Sequence, residues 1–174
     1  NGMLPQMIRQ GGMTCYVMMR PGPHENADIP ENLFWWESPD GSRVLTYKIH
    51  ESYGVSGPEN LDRRAAVMSE RINESGHGML LMYGVGNHGG GPTRADIEHL
   101  RKNLKREGYA DMVFSDPDSF FQSLLVAPLD LPVWTDDLQH HASGCYSAAS
   151  MVKELNRKAE NALQSAEKWN TLAA

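Results

Sequence analysis

Cysteine is scarce, long apolar runs are missing and positive charge is in deficit in this 174-residue chain, and each shortage removes a class of function. The two cysteines, Cys15 and Cys145, stand far apart. A chain of this length buries roughly 70% of the surface its unfolded form exposes and needs no covalent staple, so reduced thiols and a cytoplasmic setting are expected rather than a disulfide framework. No stretch approaches the ~20 apolar residues that span a bilayer, and no leader-like segment precedes the first element, so no membrane partner is expected. Sixteen Lys and Arg against 22 Asp and Glu leave a formal charge of −6, which provides no electrostatic footprint for nucleic acid. The hydrophobic fraction of 40% and the 16 glycines are ordinary for a globular fold and exclude disordered, collagen-like and mucin-like readings. One core is within reach at this length; two complete domains are not expected. An initiator is also missing: the chain starts Asn1-Gly2-Met3-Leu4-Pro5, directly before a helix signal, and is expected to be a piece of a longer polypeptide.

What is there alternates strand and helix. Residues 4–10 read as the end of a helix stopped by Gly11-Gly12, and residues 14–19 as a short buried strand. Ser38-Pro39-Asp40-Gly41-Ser42 separates two β-prone runs, 33–37 and 43–49, and marks a hairpin because glycine supplies the positive φ that reversal requires. Leu61, Ala65, Met68 and Ile72 recur at helical spacing, predicting a helix over 59–74 ended by Gly76. The run Met79-Leu80-Leu81-Met82-Tyr83 reads as a strand. A glycine-rich turn over 84–92 then leads into a helix whose Thr93 and Asp96 have capping-box spacing and whose Ile97, Leu100 and Leu104 form its buried face. A strand at 111–114 and a short helix near 118–125 complete an α/β layer with parallel strands. Residues 145–172 contain no Gly or Pro and repeat apolar residues every three to four positions, predicting one helix of ~27 residues and ~40 Å. Its length places a domain boundary within 126–138, dividing 1–130 from 131–174, and its unpartnered stripe predicts self-association.

Few residues offer chemistry. Gly84-Val85-Gly86-Asn87-His88-Gly89 matches the spelling of a dinucleotide fingerprint after a strand. In that fingerprint the helix begins at about the second glycine, whereas Gly89-Gly90-Gly91-Pro92 would break such a helix. The turn therefore reads either as a surface loop or as a ligand loop at the carboxyl end of a strand, where open α/β sheets and barrels bind. A nucleotide- or phosphate-binding module using this loop stays open as an alternative. Gln139-His140-His141 sits at the expected boundary. Neighbouring histidines point to different faces, so at most one serves a given site, and a single imidazole needs two or three further ligands to hold zinc. Arg20 follows a buried strand, as a rim residue would. Trp35, Trp36 and Tyr53 are able to stack on a sugar, although hairpin packing claims at least one of the tryptophans. His24, His50, His77 and His99 show no partner and read as surface residues. Neither the glycine turn nor the His-His segment supplies the pair of carboxylates that glycoside hydrolysis ordinarily uses.

Three segments together, Phe34-Trp35-Trp36-Glu37-Ser38-Pro39-Asp40-Gly41, Tyr83 to Thr93, and His140-His141-Ala142-Ser143-Gly144-Cys145-Tyr146-Ser147, make the chain resemble glycoside hydrolase family 38, the α-mannosidases, in its bacterial branch. The resemblance implies a retaining, zinc-dependent enzyme acting on terminal α-mannosides. Its implied fold is the C-terminal part of a seven-stranded α/β barrel, followed by the first long helix of a helical bundle and, further on, large β domains. By position it implies His140 as a zinc ligand, His141 beside the sugar pocket, Arg20 near the nucleophile and Tyr53 as a substrate-binding residue. The remaining zinc ligands and the nucleophilic Asp would lie before Asn1, so the isolated chain is expected to be inactive. The glycine turn corresponds to the loop that carries the acid/base. Many relatives have Asp there and this chain has Asn87-His88; an amide cannot donate a proton at useful pH, whereas an imidazole with a reference pKa of about 6.5 does.

Overall fold

A computed structural model describes residues 1–86, 89–138 and 149–173. The chain divides into two units, Asn1–His140 and His141–Ala174. The first contains α1 (Leu4–Gln10), β1 (Cys15–Met18), β2 (Leu33–Glu37), β3 (Arg43–Lys48), α2 (Pro58–Ser75), α3 (Arg94–Asn103), α4 (Pro117–Leu124) and β4 (Val133–Trp134); the second contains α5 (Ser150–Ala173).

The strands form one sheet in the order β1-β3-β2-β4. β1 runs parallel to β3 and β4 parallel to β2, while β2 and β3 are the antiparallel arms of the expected hairpin. Its turn is closed by Gly41 N–H donating to Ser38 O at 2.9 Å, with Gly41 at φ +83°. The class is therefore α/β, as expected, but the sheet is mixed.

Alternation along the strands sorts the core into two faces, because successive side chains point to opposite sides. Met18, Phe34, Trp36 and Val44 pack with Ile8 of α1 on one face, and Leu33, Leu45 and Tyr47 pack with Phe120, Phe121 and Leu124 of α4 on the other. Between α2 and α3 a third cluster joins Leu61 and Leu100 to Val55, with Leu81 and Tyr83 against it. The helices follow the local signals. α2 ends on Gly76 at φ +71°, and α3 begins with the capping box, in which Thr93 Oγ1 accepts from Asp96 N and Asp96 from Thr93 N.

Two expected strands are corrected. Residues 79–83 and 111–114 pair with no strand among the described residues. The first is held instead by the Tyr47 hydroxyl, which accepts from Leu80 N at 3.1 Å and donates to Leu80 O at 3.3 Å. Burial, only partly offset by the Leu80 backbone bond, pushes that phenol up to about 12. Between these two extended runs and α2 lies a cavity of about 660 Å³ lined by Met68, Leu80, Met82, Met112, Phe114 and Phe120 among others. Tyr47→Phe should lower the unfolding free energy by about 1 kcal/mol, since both Leu80 backbone groups lose their partner in a half-buried setting. Denaturant melts measure this, and a change near zero would show that the phenol is dispensable to the run.

The sheet also holds a strand the sequence pattern does not announce: Val133 and Trp134 add to β2 beside Trp35 and Trp36. In the second unit, α5 carries ion pairs one turn apart, Glu154–Lys158 at 2.6 Å and Arg157–Glu160. Met151, Leu155 and Trp169 recur along it at helical spacing. Among the described residues no helix is long and apolar enough to cross a membrane.

Candidate functional site

Because β1 and β3 are parallel neighbours, with Met18 beside Lys48, the residues that follow them leave the sheet at one edge. Ile49 N–H donating to Met18 O at 2.8 Å extends the pairing to that edge. Arg20 and the 50–57 loop carrying Tyr53 both emerge there, at carboxyl ends, as a ligand rim requires.

The loop reaches the glycine turn. Gly84 N–H donates to Val55 O at 2.7 Å, and the turn closes on itself through Val85 N–H donating to Gly91 O at 3.0 Å. A Cβ on Gly54 would sit 3.3 Å from Gly86 Cα, and one on Gly86 would sit 3.5 Å from Tyr53 Cε2 and 3.9 Å from the Tyr53 hydroxyl. The approach is tight at Gly54 and ordinary contact at Gly86, whereas glycine is demanded at Gly84, where φ is +126° and a Cβ would sit 2.9 Å from Gly91 C and Pro92 N. Tyr53 lies against the turn with its ring about half exposed. The structure therefore brings together two features that are far apart in sequence, Tyr53 and the turn bearing positions 87 and 88. Asn87, His88, His140 and His141 themselves lie outside the described residues.

Arg20 is half exposed and faces Glu25 at 3.6 Å. The Glu25 carboxylate also accepts from Gly22 N–H at 2.7 Å, so the guanidinium stands on a braced loop at the rim. The tryptophans belong to the core: Trp36 is 1% exposed with its indole N–H donating to Asp136 O at 3.1 Å, and Trp35 packs on the α4 face. Three histidines read as unpartnered surface groups need correction: His24 is exposed, but its Nε2 lies 3.9 Å from Glu25 Oε2. His99 Nε2 lies 2.8 Å from Asp62 Oδ1, pinning α3 to α2, and His50 is largely covered, with Nε2 3.6 Å from Glu51 Oε1. Burial, with help from the nearby Arg71 charge, lowers the His50 pKa.

Sequence reasoning missed what holds the loop. Arg64, 4% exposed on α2, donates through Nη1 to His50 O at 3.0 Å and Ser52 O at 2.9 Å, and its Nη2 lies 3.0 Å from Glu51 Oε2. Glu51 sits at φ +62° and is further bound by Arg63; the Arg63 hydrogen bond holds its carboxyl below the usual range. At the far end Asp96, 1% exposed, accepts from Ser56 Oγ at 2.8 Å and Gly57 N at 2.8 Å, as well as from Thr93 N. Burial alone would raise its pKa, but these donors outweigh it and hold the carboxyl at about 2. Capping-box spacing was the only signal of Asp96, and it pointed to α3 alone.

α3 starts at Arg94, and its first turn is satisfied by Thr93 and Asp96. The glycine turn does not itself open the helix, as a pyrophosphate cradle would, which disfavours the nucleotide reading. Among the described residues no three His, Cys, Asp or Glu side chains converge as a metal site.

Residues 1–137 match the glycosyl hydrolases family 38 N-terminal domain. Alpha-mannosidase 2C1 of Homo sapiens is 27% identical over 173 residues, covering 98% of this chain and 16% of that protein. Alpha-mannosidase G of Dictyostelium discoideum is 32% identical over 94% of this chain and 15% of its own length, and an alpha-mannosidase of Saccharomyces cerevisiae is 25% identical over 90% and 15%. The chain spans about a sixth of the length of these curated relatives.

Proposed function

The chain belongs to glycosyl hydrolase family 38, and from that membership we propose that it forms part of a retaining α-mannosidase acting on terminal α-mannosides of oligosaccharides or N-glycans. The observation that carries the reading is the docking of the glycine turn on the Tyr53 loop at the carboxyl edge of the sheet, within the matched region.

In this reading the 1–130 region belongs to a seven-stranded α/β barrel, and 131–174 opens a helical bundle within a longer cytoplasmic polypeptide, whose remainder is the first partner. Tyr53 and Arg20 bind the terminal mannose from the rim, and His141 adjoins it. A carboxylate outside residues 1–174 attacks the anomeric carbon; the bond to the leaving oxygen breaks as that oxygen takes a proton from the Asn87-His88 turn, and His88 is the member able to give it. In the second half, water adds to the anomeric carbon, losing its proton to the same base and releasing the carboxylate. The described residues alone do not fit a zinc ion; the proposal puts its ligands at His140 and beyond residues 1–174. When bound, zinc would hold the sugar through vicinal hydroxyls. The isolated 174-residue chain, lacking the nucleophile, should be inactive.

Turnover of an aryl α-mannoside by the full-length protein tests this. His88→Gln should lower kcat by about 100-fold or more with little change in KM, the size of a lost general acid. It should also remove the pH limb that an ionising imidazole general acid imposes on kcat. An unchanged pH profile would exclude His88 as the acid.

A further inference from the structure

Two buried, oppositely charged side chains grip the loop that presents Tyr53, and both come from helices rather than from the sheet. Arg64 reaches from α2 to the carbonyls of His50 and Ser52 and to the Glu51 carboxylate. Asp96 reaches from the start of α3 to the Ser56 hydroxyl and the Gly57 amide. Val55, between the grips, accepts the Gly84 amide, and Tyr53 rests over Gly86. Arg64 stays buried although its Nε finds no acceptor among the described residues, a cost that a helix residue with only a packing task would shed by becoming aliphatic. Glu51 accepts a left-handed backbone in the same short loop, so the conformation is imposed by its anchors and is not the relaxed choice of the segment.

We propose that Arg64 and Asp96 are positioning residues for Tyr53, fixing the two ends of its loop so that the phenol stays seated on the glycine turn. The proposal rests on the reading of Tyr53 as a sugar-binding residue, and its structural half stands apart from that reading. Neither side chain touches substrate. Each acts by holding the Tyr53 ring against Gly86, the last described residue of the turn before position 87. A lysine at position 64 has one ammonium and cannot hold two carbonyls and a carboxylate in one plane as the guanidinium does. An asparagine at position 96 keeps an acceptor for Gly57 but turns a donor toward Thr93 N.

The test uses the full-length protein and the variants Arg64→Lys, Asp96→Asn and the milder Ser56→Ala, which deletes one bond of the clamp and spares the core. Hydrogen–deuterium exchange should accelerate about tenfold in peptides covering 50–57 and 84–92, with the β2–β3 hairpin unchanged, as local opening predicts. Acceleration spread evenly over all peptides, or none in 50–57, overturns the clamp. On an aryl α-mannoside, kcat/KM should fall about tenfold for each variant, mainly through KM, and Asp96→Asn should cost nothing further in a Tyr53→Ala background, the signature of coupled residues. Additive losses overturn the proposal while leaving the mannosidase reading intact. Absence of any α-mannoside turnover by the unmutated protein overturns that reading, and the exchange result still decides whether the clamp exists.

Discussion

Trp36→Ala is expected to lower the unfolding free energy of the first unit by about 3–5 kcal/mol, the range found when a large aromatic is deleted from a packed core. Trp36 is 1% exposed. It lies on the α1 face of the sheet with its ring 5.5 Å from that of Tyr16, and packs in the cluster that includes Ile8, Phe34 and Leu138. Three separate pieces of chain therefore lose contact at once. The indole N–H also donates to Asp136 O, so the deletion also unties the segment that follows β4. A domain of ordinary stability has only about 5–15 kcal/mol in total, so the variant should melt far lower or fail to fold. Trp36→Phe supplies the control: it keeps most of the apolar area and should cost about 1–2 kcal/mol for the lost hydrogen bond and partial void. Equal losses for the two variants would mean that the indole N–H, rather than the packed ring, ties these segments together.

How far sequence reached depended on how local each signal was. α2 and α3 were legible because periodicity, a terminal glycine and a capping box all lie within the element. The hairpin was legible because its reversal needs one glycine between two β-prone arms. The run 79–83 misled because a strand is defined by a neighbour that its own residues do not encode; its partner is instead a single phenol from β3. β4 was invisible for the opposite reason: two residues after a proline carry no period, and only the exposed edge of β2 makes them a strand. At the site, the glycine turn declared itself by composition and Tyr53 by resemblance. The clamp did not, because Arg64 and Asp96 bind backbone carbonyls and amides far away in sequence, and any residue type supplies those.

On the proposed α-mannosidase reading, Gly90→Ala should lower kcat/KM of the full-length protein on an aryl α-mannoside by about 100-fold or more, the scale expected when catalytic geometry shifts by about an ångström, while the melting temperature moves by no more than a few degrees. A Cβ at position 90 would overlap the Val85 carbonyl, and it would also meet Gly86 O at 2.7 Å. Those groups are backbone, which cannot swing aside as a flexible side chain does, so the turn itself must open. Opening it separates Val85 N from Gly91 O and shifts Gly86, the residue on which Tyr53 rests. The loss should therefore be local to the rim, because no buried apolar cluster includes position 90. Gly89→Ala is the matched comparison: a Cβ there meets nothing within 4 Å, and its effect on folding stability should be within about 0.5 kcal/mol, as for an ordinary surface substitution. If Gly90→Ala retained near-normal kcat/KM, close backbone packing of the turn would have no part in the activity proposed for it.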